Sequence, residues 1–530
     1  MHRKYAVLIS FVILLVLLSG CTKKSNTNEE NVEKNLYVAY KIIDNQKVYG
    51  YIDEKGLFLI EPQYMYASDY SEGFAVVYDD INYRIIDING NTVFETTKLI
   101  EPVKNGAAIF TDPDTYKRGF LDINGLIIAE PVYQTIENFN SEGTALVSST
   151  EGIFERIDKT GKTLQIYHLD PFFTSIYEVF DGYAAYMQAD NSKMGIISIE
   201  DSRVVIDPSF NEIIILGEGY FAAKDPTKES FESLSTPSAI MDSKGNKLSD
   251  YQYYDVSHYH EGLASATDDQ STFFIGTDGQ KINTLPVVAG RGILTKIGAL
   301  IKADIDGDLS YLDSEGNTIW QADTTIAVSD QIKVVQNSYK PLRLVNIKYP
   351  SVTGLKDKTI ESTINETLKD YFTLPRSDED LLNLSVEDVF SASLRENLLI
   401  IEKNGYDYYS GAAHGMPIHD YYYIDINTGV AYTFKDLFKE DSDYLNALSM
   451  IVTQQIQEQA TSEDSMFFPE FFTGLTETTN FQLTENGIII YFYPYEIAAY
   501  AGGFPEFEIP FADITEFLNE KGNFFKSFNP

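Results

Sequence analysis

The chain has 530 residues, too many for one small core and enough for two or more domains. Apolar residues make up 44 % and aromatic residues 13 %, with 37 Tyr and 33 Phe, so disorder is excluded over most of the length. A formal charge of −39, from 79 acidic and 40 basic residues, repels phosphate backbones and rules against nucleic acid as a partner; it suits a basic protein partner or a plain solvated exterior.

At the N-terminus, Arg3 and Lys4 precede an apolar run from Ala6 to Leu18 broken only by Ser10. The run is short of the roughly 20 residues of a membrane span and has the length of a signal-peptide core. It leads into Leu18-Ser19-Gly20-Cys21, which resembles a bacterial lipobox, and Cys21 is the only cysteine. The resemblance implies a diacylglyceryl anchor on Cys21, cleavage after residues 1–20, and a place on the outer face of the cell membrane of a Gram-positive bacterium. With one cysteine, no internal disulfide can form. Residues 21–35 are polar and small and read as a flexible tether. Cleavage deletes Arg3 and Lys4 and no acid, so the anchor would work against repulsion from anionic lipid.

From residue 36 to 321 one unit recurs. Its clearest copy is Val48-Tyr49-Gly50-Tyr51-Ile52-Asp53-Glu54-Lys55-Gly56, then Glu61-Pro62-Gln63-Tyr64, closing with Ser71-Glu72-Gly73-Phe74-Ala75-Val76-Val77. The Asp-x-x-Gly turn marks the register at Asp53, Asp87, Asp122, Asp158, Asp242 and Asp313, with weaker units around Ser198 and Gly276. Successive marks lie between 34 and 44 residues apart, a repeat-protein period. Each unit reads as three short antiparallel strands. A hairpin turn such as Asn124-Gly125 joins two of them, and a proline such as Pro131 ends pairing in the second. Three such strands cannot bury their faces alone, so neighbouring units must stack.

These residues resemble the WG-repeat family, with Tyr49 in place of its Trp; the lone Trp320 sits elsewhere in its unit. The resemblance implies a binding or scaffolding surface rather than a catalyst. The expected fold is a mainly β array of about eight three-stranded antiparallel units, propeller-like or an open stack. Asp304-Ile305-Asp306-Gly307-Asp308 begins like a calcium loop, but Leu309 stands where that loop needs glycine, so an acidic hairpin tip is expected. His258 and His260 would share one face of a regular strand, with Asp255 and Glu261 on the other; packed histidines are expected there rather than a metal site.

After Trp320 the period stops, and residues 335–530 read as an α+β domain. A strand around Leu342–Pro350 leads into a helix from Asp357 to Phe372, striped with Ile360, Ile364, Leu368 and Tyr371. Strands follow at 398–403, 420–426 and 488–493, with a helix at 445–459 carrying Leu445, Leu448, Val452 and Ile456 on one face.

Ile347-Lys348-Tyr349-Pro350 with Ile364-Asn365, Gly411-Ala412-Ala413-His414-Gly415, and Phe492-Tyr493-Pro494-Tyr495-Glu496-Ile497-Ala498 resemble the paired DUF4163 and DUF3298 modules of surface proteins. In that family the modules occur in a lysozyme-binding anti-sigma factor and beside peptidoglycan deacetylases. The resemblance therefore implies extracytoplasmic binding near the cell wall. Neither a cytoplasmic anti-sigma segment nor a metal-dependent deacetylase motif is recognisable, so neither activity is implied.

No reactive Cys, Gly-x-Ser-x-Gly elbow or His-Glu-x-x-His is present, and no cofactor or metal is called for. The expected function is a lipid-anchored, non-enzymatic binding or scaffold protein that takes a basic, lysozyme-like protein or peptidoglycan. His414, Tyr493, Tyr495, Glu496 and Phe504 are its candidate ligand-binding residues. Two readings stand beside it: a cell-wall glycan-modifying enzyme using acidic residues and His414 as base, and a purely structural envelope protein.

Overall fold

A computed structural model describes residues 35–169, 175–188, 192–228, 235–373, 381, 384–461 and 465–529. Cys21, the expected apolar leader and all of the expected tether but Asn35 lie outside the described residues. Among the described residues no helix is long and apolar enough to cross a membrane.

Eight small antiparallel sheets follow one another along the chain, at 37–64, 66–96, 107–133, 135–168, 175–210, 213–242, 255–289 and 292–321. We call them blades 1 to 8. Three have three strands and five have four. Their cores lie between blades, as short strands with one small apolar face require. Tyr51 and Ile60 of blade 1 meet Ala75 and Val77 of blade 2, and the next cores join each blade to its successor in turn. The eighth core joins the ends: Tyr37, Ala39 and Ile52 of blade 1 pack with Leu300, Leu309 and Tyr311 of blade 8. The array is thus a closed eight-bladed ring rather than an open stack.

The repeat read from the sequence is out of phase with the blade. Its first two strands (Gln46–Ile52 and Phe58–Tyr64) belong to blade 1, and its closing strand, Phe74–Tyr78, belongs to blade 2. Each sequence unit therefore crosses a seam and ties two blades covalently. Pro62 and Pro131 do not end their strands either. Pairing resumes beyond them, at Tyr49 with Tyr64 and Arg118 with Tyr133, after a bulge. A proline fits a strand where the bulge removes the need for its missing N–H. The recurring glycine makes room for that bulge: a Cβ on Gly50 would lie 2.4 Å from the Ile60 carbonyl oxygen, and one on Gly119 would lie 2.5 Å from that of Ala129.

The Asp of each register turn caps it. The Asp53 Oδ1 accepts from the N–H groups of Lys55 and Leu57, and Asp87, Asp122, Asp158, Asp242 and Asp313 repeat that arrangement. The closing turns carry a second device. Glu72 accepts from the N–H groups of Asn105 (2.7 Å) and Gly106 (2.8 Å) in the equivalent turn of the next blade, and Glu218 from that of Gly262 (3.0 Å). Charge-assisted bonds of this kind fix blade against blade at one end of the ring.

Glu137 makes such a bridge under burial, which pushes its carboxyl up to about 7; the N–H groups of Gly182 and Asp181 and the charge of Arg156 oppose that rise. A folded-state value above the unfolded one means that this group's contribution is full below about pH 4.5 and is lost as pH rises through about 7. Chemical denaturation between pH 5 and 8 is expected to show a loss of about 2–3 kcal/mol from this group, and the Glu137→Gln variant is expected to lack it.

The C-terminal region begins with a seven-stranded sheet, whose first strand is Ile326–Ala327. It is antiparallel except where Val345–Thr353 runs parallel to Leu384–Arg395. A parallel pair needs a crossover, and the helix Lys358–Thr373 supplies it, seating Ile364, Leu368 and Phe372 on the sheet. The other face meets a second layer: the helix Tyr444–Gln459 and a three-stranded sheet of Phe481–Leu483, Gly487–Tyr491 and Glu506–Pro510. Tyr423 pins the layers together, its hydroxyl donating to Phe481 O and accepting from Leu483 N–H. This is the α+β arrangement expected.

Residues 35–530 form one compact unit. The C-terminal sheet rests on hairpin tips of the ring. Lys340 pairs with Asp306 and Lys348 with Asp308, while the Arg343 guanidinium lies 3.8 Å from the centroid of the Tyr254 ring. The residues that begin like a calcium loop are thus a β-hairpin whose Asp306 and Asp308 carboxylates take up cations from the C-terminal region.

Candidate functional site

The long hairpin Leu398–Tyr409 and Met416–Asp425 carries one side of the candidate site. Both strands outrun the apolar segments that announce them, because polar residues such as Asn404 and Asp407 stay in register with His419 and Met416. The Gly411 segment, with φ of +84°, turns the chain between them. The second side is the irregular stretch after Gly487–Tyr491, which contains Tyr493, Tyr495, Tyr500 and Phe504.

His414 and Tyr495, 81 residues apart, meet here. The His414 Nε2 lies 2.9 Å from the Tyr495 hydroxyl, and its Nδ1 lies 3.0 Å from Gly415 O. Tyr500 stacks on the imidazole with centroids 3.8 Å apart. Tyr406 completes the group, its hydroxyl accepting from Gly415 N–H. Tyr495 sits at φ +73°, a conformation that costs a non-glycine residue of order 1–3 kcal/mol. The chain around it holds it there, with Tyr495 N–H donating to Ala498 O, and the residue is left 53 % exposed.

Behind this outer group lies an inner one. The Tyr493 hydroxyl donates to Asp420 Oδ1 (2.9 Å), and Phe504 packs between Tyr493 and His419. His419 is fixed by Asn404, Nδ1 to Oδ1 at 2.7 Å. Burial, reinforced by the Asp420 charge, pushes the hydroxyls of Tyr371, Tyr491 and Tyr493 up, so they remain protonated donors at neutral pH. Glu496 stands apart from both groups: its Oε2 accepts from Tyr493 N–H and caps the local turn.

Of the residues expected from the sequence, His414 and Tyr495 share the outer group and Tyr493 and Phe504 the inner one, while Glu496 supports the backbone. Tyr406 and Asn404 escaped the sequence reading. Counting the hairpin register outward from Gly411 would have placed both opposite the histidine segment. Chemically the outer group offers aromatic rings with hydroxyl tips and an imidazole bonded at both nitrogens. Both nitrogens of His414 face neutral partners, and among the described residues no carboxylate is hydrogen-bonded to it as the orienter of a general base. Rigid aromatic rings with hydroxyl tips give large contact area at small entropic cost. Among the described residues no cluster of three or more His, Cys, Asp or Glu could hold a metal ion. In the ring, His258 and His260 do not lie on a regular strand: the strand there is only Asp255–Val256. Glu261 turns through a left-handed φ of +53° and lines the same cavity as the two histidines, whereas Asp255 pairs with Arg291.

Residues 435–512 match the family described as protein of unknown function DUF3298, and residues 49–80 and 119–149 match the WG containing repeat. The chain is 26 % identical over 189 residues to the anti-sigma-V factor RsiV of Bacillus subtilis, covering 33 % of this chain and 65 % of that protein. It is 28 % identical over 93 residues to the peptidoglycan-N-acetylmuramic acid deacetylase PdaC of the same organism, covering 17 % of this chain and 20 % of that one. It therefore spans less than two thirds of the length of either relative. A crystal structure of a DUF3298 family member from Bacteroides fragilis aligns with 39 % of this chain and 98 % of its own, at 17 % identity and a TM-score of 0.27. The chain carries WG containing repeats in its β ring and a DUF3298 domain in its C-terminal α+β layers.

Proposed function

We propose that this is a non-enzymatic binding protein of the bacterial cell envelope, held on the outer face of the membrane by a diacylglyceryl group on Cys21. It would recognise a protein ligand through the aromatic surface of its DUF3298 domain. The observation that carries the reading is Tyr495, held in a costly left-handed conformation with its ring half exposed beside His414 and Tyr500. Strain of that sort clusters at ligand clamps as well as at tight turns, and here it presents an exposed aromatic ring. The match to a protein named as an anti-sigma factor supports a protein ligand over a substrate. A surface with net charge −39 favours a cationic, lysozyme-like partner, whose approach it would accelerate.

Titration of the purified chain with a basic muramidase is expected to show saturable binding that weakens as salt rises. Tyr495→Ala is expected to weaken it by about 2 kcal/mol, roughly thirtyfold, as for an anchoring aromatic. Salt-insensitive or absent binding would remove the cationic partner from the reading. Wild-type affinity in the Tyr495→Ala variant would remove the surface. Membrane attachment is read separately, by whether Cys21→Ser releases the protein from the cell.

A further inference from the structure

The other end of the ring, away from the C-terminal sheet, opens into a cavity of about 820 Å³. Lys104 enters it from the segment before blade 3, His258, His260 and Glu261 from blade 7, and Lys296 from blade 8. Residues that far apart in the ring face one another only near its centre, so the cavity is the mouth of the ring. Phe180 of blade 5 forms part of the same wall, stacked on His258 with centroids 4.4 Å apart.

The lining of this mouth runs against the charge of the molecule. Two lysines face one acid there, beside two histidines of which His258 is kept toward its neutral form by burial and by Lys104, in a chain with twice as many acids as bases. Among the described residues, neither Lys104 nor Lys296 has a carboxylate within ion-pair distance. The acids of the inter-blade bridges are turned elsewhere: Glu72, Glu137, Asp181 and Glu218 into backbone N–H groups of the next blade, and Asp69 to Lys302 at 2.7 Å. Ammonium groups around a cavity repel a metal cation and attract an anion, and walls of low dielectric strengthen that attraction.

We propose that the mouth of the ring is a binding site for a small oxyanion, a molecule bearing a phosphate or carboxylate group, held between Lys104 and Lys296 with the His258 ring as its floor. The site is distinct from the aromatic surface of the DUF3298 domain, and it stands whether or not that surface binds a protein. It gives the ring a ligand of its own.

Calorimetric titration of the whole chain with inorganic phosphate, glycerol 3-phosphate and citrate tests this, the three probes separating a free phosphate, a lipid-headgroup-like phosphate and a polycarboxylate. At least one is expected to bind saturably, with Lys104→Gln and Lys296→Gln each weakening it about five- to tenfold. Both side chains are solvent-accessible, so the variants are expected to keep the wild-type melting temperature. Lys47→Gln, at the opposite end of the ring, is expected to leave binding unchanged. No saturable binding of any probe at millimolar concentration overturns the proposal, as does binding that survives both substitutions at the mouth or falls equally with Lys47→Gln.

Discussion

Tyr311→Ala is expected to destabilise the protein by about 3–5 kcal/mol, the range for truncating a fully buried aromatic side chain. Tyr311 is wholly buried in the core that joins blade 8 to blade 1, edge-on to Tyr37 with centroids 5.3 Å apart, and its hydroxyl donates to Val38 O at 2.8 Å. Tyr311→Phe removes only that bond and leaves the Val38 carbonyl without its donor, so about 1–2 kcal/mol is expected. The site of the cavity matters more than its size. A closed ring has no terminal blade, and loss of this seam makes two. Hydrogen exchange is therefore expected to accelerate first in blades 1 and 8 for Tyr311→Ala. A comparable truncation inside another seam, Phe120→Ala between blades 3 and 4, is expected to leave the exchange of blades 1 and 8 unchanged. Uniform acceleration in both variants would mean that the ring is not closed at this seam.

That seam marks the limit of what the sequence discloses. The turn chemistry was legible because it is local: Asp53 and Gly56 lie three residues apart and act on each other. The glycine–proline pairing was legible as a pattern but not as a cause, since Gly50 answers to the backbone of residues 60–62, which only the bulged register brings against it. Closure depends on Tyr311 and Val38, 273 residues apart, and no periodicity can state whether a repeat returns to its beginning. Blade phase was hidden for a related reason. The sequence repeats with the same period wherever the unit is cut, and only burial between Ala75 and Tyr51 shows where one sheet ends. In the candidate site, residue types pointed to His414 and Tyr495, but their meeting needs the two layers of the C-terminal region to stack, and that is set by buried residues such as Tyr423 and Phe481.

Lys403→Met is expected to cost about 3–5 kcal/mol, as when a buried carboxylate loses its cation. Lys403 Nζ lies 3.0 Å from Asp388 Oδ2, both side chains are buried, and Asp388 is only 1 % exposed. The sheet is built around this pair: Asp388 faces Gly405 across the ladder, where a Cβ would come within 2.1 Å of its Oδ1. Deleting the cation leaves a charge that the interior disfavours, so the Asp388 carboxyl must rise in the variant. The deficit is then expected to be largest at neutral pH and to shrink as pH falls through that raised value. Urea unfolding at pH 7 and pH 5 reads both the size and the sign. Asp388→Leu with Lys403→Met is expected to recover most of the loss, since a buried pair is replaced by apolar groups of similar volume. The pair also lies one residue along the strand from the candidate site. Lys403 stands between Glu402 and Asn404, and Asn404 holds His419 beside Phe504. If that pair positions the aromatic surface as well as stabilising it, the single variant loses partner binding under conditions where it is still folded, and the double variant regains it. A double variant that refolds fully yet binds poorly would show instead that the charges themselves set the strand's geometry.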